Sequence, residues 1–185
     1  ILLVLLAVEL IVFSQLSEYF LTTKNILSIG LNISVLGIVA IGQTLCILTS
    51  DFDLSVGNTA AFTGLMSAYF FQNMGIGYVL SLVLTLGIAL LIGLVNGLLI
   101  TKLNISAFNT TMATNFILGG LVVLVSRGQA VIVSDRAYGI LGKTTFTSIK
   151  FPLPMLIVIV LFVIFAWILK NTVIGRKLYC VGGNA

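Results

Sequence analysis

The chain has 185 residues, 59% of them hydrophobic and only 8% charged, with no histidine. A soluble domain of this length covers itself with about a quarter of its residues charged, so a soluble fold is excluded and an integral membrane protein is expected. The net charge of +4 is spread over connectors rather than gathered in a stripe, which argues against a nucleic-acid partner.

Runs of about twenty apolar residues, enough to cross a hydrocarbon core of about 30 Å, recur along the chain, and six stretches are expected as spans. The first, roughly 1–16, carries Glu9. It has no initiator Met, basic n-region or cleavage pattern, so it is read as the remains of a first span rather than a signal peptide. A polar connector with Glu18, Lys24 and Asn25 precedes the second span, 28–49, and the third covers 57–71. QNMGIG makes a tight turn into the fourth, 78–101, which Lys102 closes, and the fifth covers 106–125. The long polar segment 126–151 holds Arg127, Asp135, Arg136, Lys143 and Lys150. Pro152 and Pro154 open the sixth span, 152–169, where a missing N–H is harmless. Trp167 and Lys170 end it as an interfacial aromatic and a cation. The closing segment, 170–185, completes no element, so the chain is expected to be a piece of a longer protein.

Continuous runs of this length exclude a membrane barrel, whose strands alternate over about ten residues. Backbone in lipid must satisfy its own hydrogen bonds, so the spans are helices. The expected fold is an all-α, polytopic helical bundle of about six transmembrane helices, in one transmembrane domain. Lys102, Lys170, Arg176 and Lys177 fall on one side and Lys24, Arg127, Arg136, Lys143 and Lys150 on the other. That near-tie leaves orientation open under the positive-inside rule.

Small residues four apart (Ala60, Gly64 and Ala68; Gly93 and Gly97) are expected to let helix backbones approach. The fifth span is polar in its first half, with Asn109, Thr110, Thr111, Thr114 and Asn115. At 100° per residue Thr111, Thr114 and Asn115 share a face, which serves interhelical hydrogen bonding or lines a path for polar cargo. Asn96 carries the same two readings. TSDFDLSVGNT, 49–59, places Asp51 and Asp53 between two apolar runs. One carboxylate at a helix centre costs roughly 2.5–3.5 kcal/mol, so an interruption between helices is expected. Asp53 or Ser55 would cap the next helix. The functional alternative is a broken-helix element beside a pathway.

Cys46 and Cys180 are far apart, with no CxxC and no His nearby, so neither disulfide nor metal chemistry is suggested. No G-x-x-x-x-G-K-[ST], HExxH or G-x-S-x-G occurs. No cofactor is implied, the chain is not expected to be an enzyme, and a transporter or channel is the class the residues favour.

GQTLCILTSDFDLSVGN (42–58) resembles the G-M-T-x-V-I-x-T-G-G-I-D-L-S-V-G segment of ABC transporter permeases of the ribose/xylose/simple-sugar importer family. NTVIGRKLYCVGGNA (171–185) resembles that family's T-x-x-G-R-x-x-Y-A-x-G-G-N, and ISAFNTTMATNFILGGL resembles its x-x-F-I-A-T-L-G-x-x-x-x-x-R-G-L. Asp51 stands for a family Gly, Asn109 and Thr110 for Ile and Ala, Gly119 for Arg and Cys180 for Ala. The resemblance implies a permease subunit of about ten spans in the bacterial cytoplasmic membrane, importing a monosaccharide or related polyol or furanose. Its implied partners are an ABC ATPase subunit, an extracytoplasmic sugar-binding protein, membrane lipid, and a second permease copy, identical or a paralogue. It also implies a motif turn at Asp53, Leu54, Ser55 and Gly57; the polar side chains within the spans make Asn96, Asn109, Thr111, Thr114 and Asn115 the candidate pathway lining. The ATPase-facing lead-in would be Gly175, Arg176, Tyr179, Gly182, Gly183 and Asn184, placing 170–185 in the cytoplasm and 126–151 outside. The alternative is an ion-coupled secondary transporter using Asp51 or Asp53.

Overall fold

The computed structural model describes residues 1–135, 138–139, 142, 145–146 and 151–182. Its main helices are α1 (Leu2–Leu16), α2 (Thr23–Leu48), α3 (Val56–Gln72), α4 (Tyr78–Leu103), α5 (Ala107–Ser126), α6 (Leu153–Asn171) and α7 (Val173–Gly182). Two-residue strands, β1 (Thr145–Phe146) and β2 (Phe151–Pro152), pair antiparallel ahead of α6. Gly183 and Asn184, and Arg136, Lys143 and Lys150 of the polar segment, lie outside the described residues.

Local chemistry sets the helix ends. Helix α2 begins before the expected boundary because Thr22 caps it, its hydroxyl accepting the Asn25 N–H at 3.4 Å. Lys24 and Asn25 therefore belong to the helix and not to a connector. Pro152 is the N-cap of α6 and Pro154 sits in its first turn, where the ring removes no intrahelical bond. Arg127, in the left-handed region at φ 55°, closes α5, and Gly128 at φ 70° returns its N–H to the Val123 carbonyl.

Among the described residues four helices, α2, α4, α5 and α6, are long and apolar enough to cross a membrane. At 15 and 17 residues, α1 and α3 fall short of that length. The chain exposes 13022 Å², against about 8,600 Å² for a compact soluble protein of its mass. Large apolar side chains stand exposed along α1, α2, α4, α5 and α6, as a lipid-facing or helix-facing surface requires. The fully buried side chains are polar: Ser34, Ser55 and Ser81. Buried hydroxyls donate back along their own helices, Ser34 to Gly30 and Thr85 to Ser81, both at 2.7 Å, which satisfies their protons without a partner from another helix.

The helices form two groups. Helices α3, α4 and α5 pack together, and α2 packs with α6 and α7, while α1 buries none of its residues. Gly30 and Gly37 of α2 meet Met155 and Val158 of α6, so these two helices run parallel. In the expected small-residue stripes Ala68 is buried, but the glycines make no such approach among the described residues. Among the described residues nothing lies within 4 Å of a side chain placed on Gly64, Gly93 or Gly97.

Candidate functional site

The two helix groups meet at residues 49–58. Helix α2 ends in a left-handed cap: Ser50 (φ 64°) donates its N–H to Ile47, and Asp51 donates its N–H to Cys46, each at 3.0 Å. This double bond pattern is the Schellman arrangement, which normally places Gly at the left-handed position. The Ser50 hydroxyl also donates to the Gly182 carbonyl of α7 at 3.1 Å, tying the turn to the far end of the chain. The Asp51 side chain is half-buried.

Asp53 folds onto its own turn. Its Oδ1 accepts the Ser55 N–H at 2.8 Å and the Ser55 hydroxyl at 2.6 Å. The expected capping is therefore corrected. Ser55 is the N-cap residue of α3, but neither its side chain nor that of Asp53 caps the first N–H groups within the helix. The Ser55 oxygen is already committed to Asp53 and to α4.

From Ser55 the bonds continue across two helices. Asn96 of α4 donates to Ser55 Oγ at 3.3 Å, and Thr114 of α5 donates to Asn96 Oδ1 at 2.6 Å. Each member donates toward the next, and the series ends on the Asp53 carboxylate, so the bonds polarise one another in one direction. Three further contacts hold the turn. Gln43 of α2 donates to the Asp53 carbonyl, the Thr111 hydroxyl of α5 lies 3.4 Å from the Phe52 carbonyl while donating to Ala107 of its own helix at 2.8 Å, and Asn58 of α3 donates to the Asn115 carbonyl at 2.8 Å. Gly119 leaves room for that last bond, because a side chain there would meet the Asn58 amide at 3.0 Å.

Asn96 precedes the last residue of α4, Leu103, by seven positions, and Thr114 follows the first residue of α5, Ala107, by seven. Each offset is about 10 Å at 1.5 Å per residue. The turn is thus sunk about two helical turns below the ends of its neighbours, with Ser55 buried against them while Phe52 (61%) and Leu54 (42%) stay exposed on its outer side.

Of the five residues expected to line a path, Asn96 (5% exposed) and Thr111 (2% exposed) are buried as ties between elements. Thr114 and Asn115 are half-buried beside them, and Asn109 is exposed on another face of α5. In the motif turn, Leu54 and Gly57 are exposed while Ser55 is buried. In the closing segment Gly175 is buried against Leu169, Gly182 abuts Leu48, and Arg176 and Tyr179 are exposed. Sequence reasoning did not single out Gln43 or Asn58, although an amide in an apolar helix is itself a signal. Gln43 Oε1, Thr59 Oγ1 and Thr110 Oγ1 are buried with no hydrogen-bond partner among the described residues. A separate cleft of 710 Å³ lies between α3 and α5, lined by Gly64, Ala68, Val122, Ser126 and Gln129. Beside it the Tyr138 ring contacts Phe71 at 5.2 Å and Tyr78 at 6.0 Å between centroids.

Long apolar helices around a hydrogen-bonded interruption at depth define the class: a multi-pass helical membrane protein. The chain belongs to the family described as branched-chain amino acid transport system / permease component, whose sequence model matches residues 25–185. It is similar to the L-arabinose transport system permease protein AraH of Escherichia coli, 36% identical over 190 residues covering 98% of this chain and 55% of that protein. It is also similar to the ribose import permease protein RbsC of Bacillus subtilis, 34% identical over 97% of this chain and 55% of that protein. RbsC of Haemophilus influenzae is 32% identical over 97% and 56%. The chain spans about half the length of the curated relatives it matches. No solved structure matches it significantly.

Proposed function

We propose that this chain forms part of the membrane-spanning permease subunit of an ATP-driven ABC importer in the bacterial cytoplasmic membrane. Its cargo is a monosaccharide or a related polyol or furanose. The observation that carries the reading is the sunken turn, with Asp53, Ser55, Asn96 and Thr114 linked across three helices. It falls in the segment that resembles sugar permeases, in a chain whose relatives are arabinose and ribose permeases. Helices α1 and α3 join the four long helices as spans, six of about ten in the whole protein.

In this reading ATP is hydrolysed by a separate subunit on the cytoplasmic side, which Gly175 to Asn184 approach. An extracytoplasmic binding protein delivers sugar toward the side of 126–151, and a second permease copy completes the pathway. Asn109, Thr114 and Asn115, which keep exposed or half-exposed side chains, are the residues placed to meet sugar hydroxyls. Asn96 and Thr111 serve the path by holding the turn. Contacts to cargo should be few and weak, since a conducted solute must leave as readily as it enters.

The test is uptake of labelled arabinose and ribose by the full-length permease, reconstituted in proteoliposomes with its ATPase and binding protein. Uptake of at least one sugar should require ATP and ignore collapse of ion gradients. Uptake that persists without ATP and falls with the ion gradient would replace this reading with the ion-coupled one, in which Asp51 or Asp53 carries the ion.

A further inference from the structure

Ser50 occupies the left-handed cap of α2 at φ 64°. Gly fills such a position without strain, whereas a side chain there is disfavoured by roughly tenfold. The Ser50 side chain is exposed, so packing gives no reason for its presence. What it adds is one bond, from the hydroxyl to the Gly182 carbonyl of α7 at 3.1 Å, across 132 positions of the chain. Strain kept at a single residue points to function when its surroundings hold it in place.

Three bonds hold this cap. Two are its own, from the Ser50 N–H to Ile47 and from the Asp51 N–H to Cys46, and both stay within α2 and its turn. Only the third depends on where α7 sits. Helix α7 already abuts the end of α2, since a side chain on Gly182 would overlap the Leu48 carbonyl, so its freedom lies in withdrawal. Moving back by about 0.5 Å takes the Ser50 hydroxyl past bonding distance. On the other side the tether is short. Only Asp51 and Phe52 separate Ser50 from Asp53, whose carboxylate holds Ser55 and, through it, Asn96 and Thr114. Return of Ser50 to the right-handed region changes φ by about 120° and ψ by about 90°, which redirects the chain as it leaves α2 and carries Asp53 with it.

We propose that Ser50 is a positioning residue that couples the seat of α7 to the buried series, a role that rests on the reading of α7 as the segment the ATPase approaches. With the hydroxyl on Gly182 the cap is left-handed and the series from Thr114 to Asp53 is closed. With α7 withdrawn the cap relaxes, the series opens, and the Thr114 hydroxyl is released toward cargo. The two-state element is the cap itself, and both α7 and the series bias it, which is the physical requirement for coupling between distant sites.

The test uses the full-length permease in two settings. In nanodiscs, without ATPase or sugar, amide exchange over 51–58 is compared in wild type, G182A, S50G and S50G/G182A. G182A displaces α7 and should speed that exchange about threefold, the average worth of a hydrogen bond between membrane helices. It should add nothing in S50G, where the link is already gone. Exchange over 51–58 that G182A leaves unchanged, or alters equally in S50G, would overturn the proposal. In proteoliposomes with the ATPase and binding protein, S50G should lower the sugar taken up per ATP hydrolysed about threefold. A merely structural Ser50 requires the opposite, because Gly suits the cap. Uptake per ATP kept or raised in S50G would therefore overturn the proposal while ATP-dependent import stands. Wild-type uptake that needs no ATP is a separate failure, of the functional reading, and overturns the proposal with it. Should G182A fail to fold, uptake per ATP in S50G and S50A decides, since both lack the hydroxyl and both must fall below wild type.

Discussion

Asn96 is the middle link between the sunken turn and the two helices beside it, so its loss can be worked through. Asn96→Ala removes the 2.6 Å acceptor of Thr114 and the 3.3 Å donor to Ser55. Hydrogen bonds between membrane helices average about 0.6 kcal/mol in double-mutant cycles, with a maximum near 1.7. The Thr114 bond is short and Asn96 is only 5% exposed, which places it at about 1–1.7 kcal/mol. The longer Ser55 bond belongs near the average, so Asn96→Ala should lose about 2 kcal/mol of bonding, with a cavity term added. The cavity does not enter the coupling between Asn96→Ala and Thr114→Val, which isolates the one bond. The assay is reversible unfolding of the full-length protein in mixed micelles, for wild type, both single variants and the double. The expected coupling is about 1–1.7 kcal/mol, against about 0.3–0.5 kcal/mol for independent sites. Additivity within that margin would mean that Thr114 does not donate to Asn96, and the series leading to Asp53 would be refuted at its far link.

Two further outcomes test the seam around Ser50. Ser50→Gly and Ser50→Ala both delete the hydroxyl that reaches Gly182, so their difference reports the left-handed backbone at φ 64°. The Gly variant should be more stable by about 1 kcal/mol, and thermal unfolding in which the Ala variant equals or exceeds it would contradict that backbone. A methyl group on Gly182 would overlap the Leu48 carbonyl, and forced overpacking costs about 1–3 kcal/mol. Gly182→Ala should therefore loosen α7, with amide exchange over 173–182 faster by roughly tenfold or more, while unchanged exchange would show that α7 does not sit against α2.

Residues near one another in sequence were the ones whose roles could be read without the fold. Pro152 and Pro154 mark the start of α6 because their ring chemistry acts within one helical turn. Asp53 marks an interruption because a carboxylate has no place in an apolar helix facing lipid. The polar first half of α5 announced contact with something other than lipid, and Thr111 and Thr114 do reach the turn and α4. Gln43 and Asn58 passed unnoticed because their acceptors are backbone carbonyls ten and 57 residues away, which leave no mark in a residue pattern.

Composition and the run lengths of apolar residues alone determined an all-helical membrane protein, because a lipid environment admits few ways to satisfy a backbone. They also located the charged interruption at 49–59. Only the tertiary structure decided how deep that interruption lies, since depth is measured against the ends of α4 and α5 and not along α2 or α3. It likewise decided which glycines touch. Gly64, Gly93 and Gly97 carry the familiar spacing and stand open, while Gly30, Gly37, Gly175 and Gly182 meet another helix at close range. A small residue permits close approach, but the opposing surface exists only once distant helices have been placed beside it.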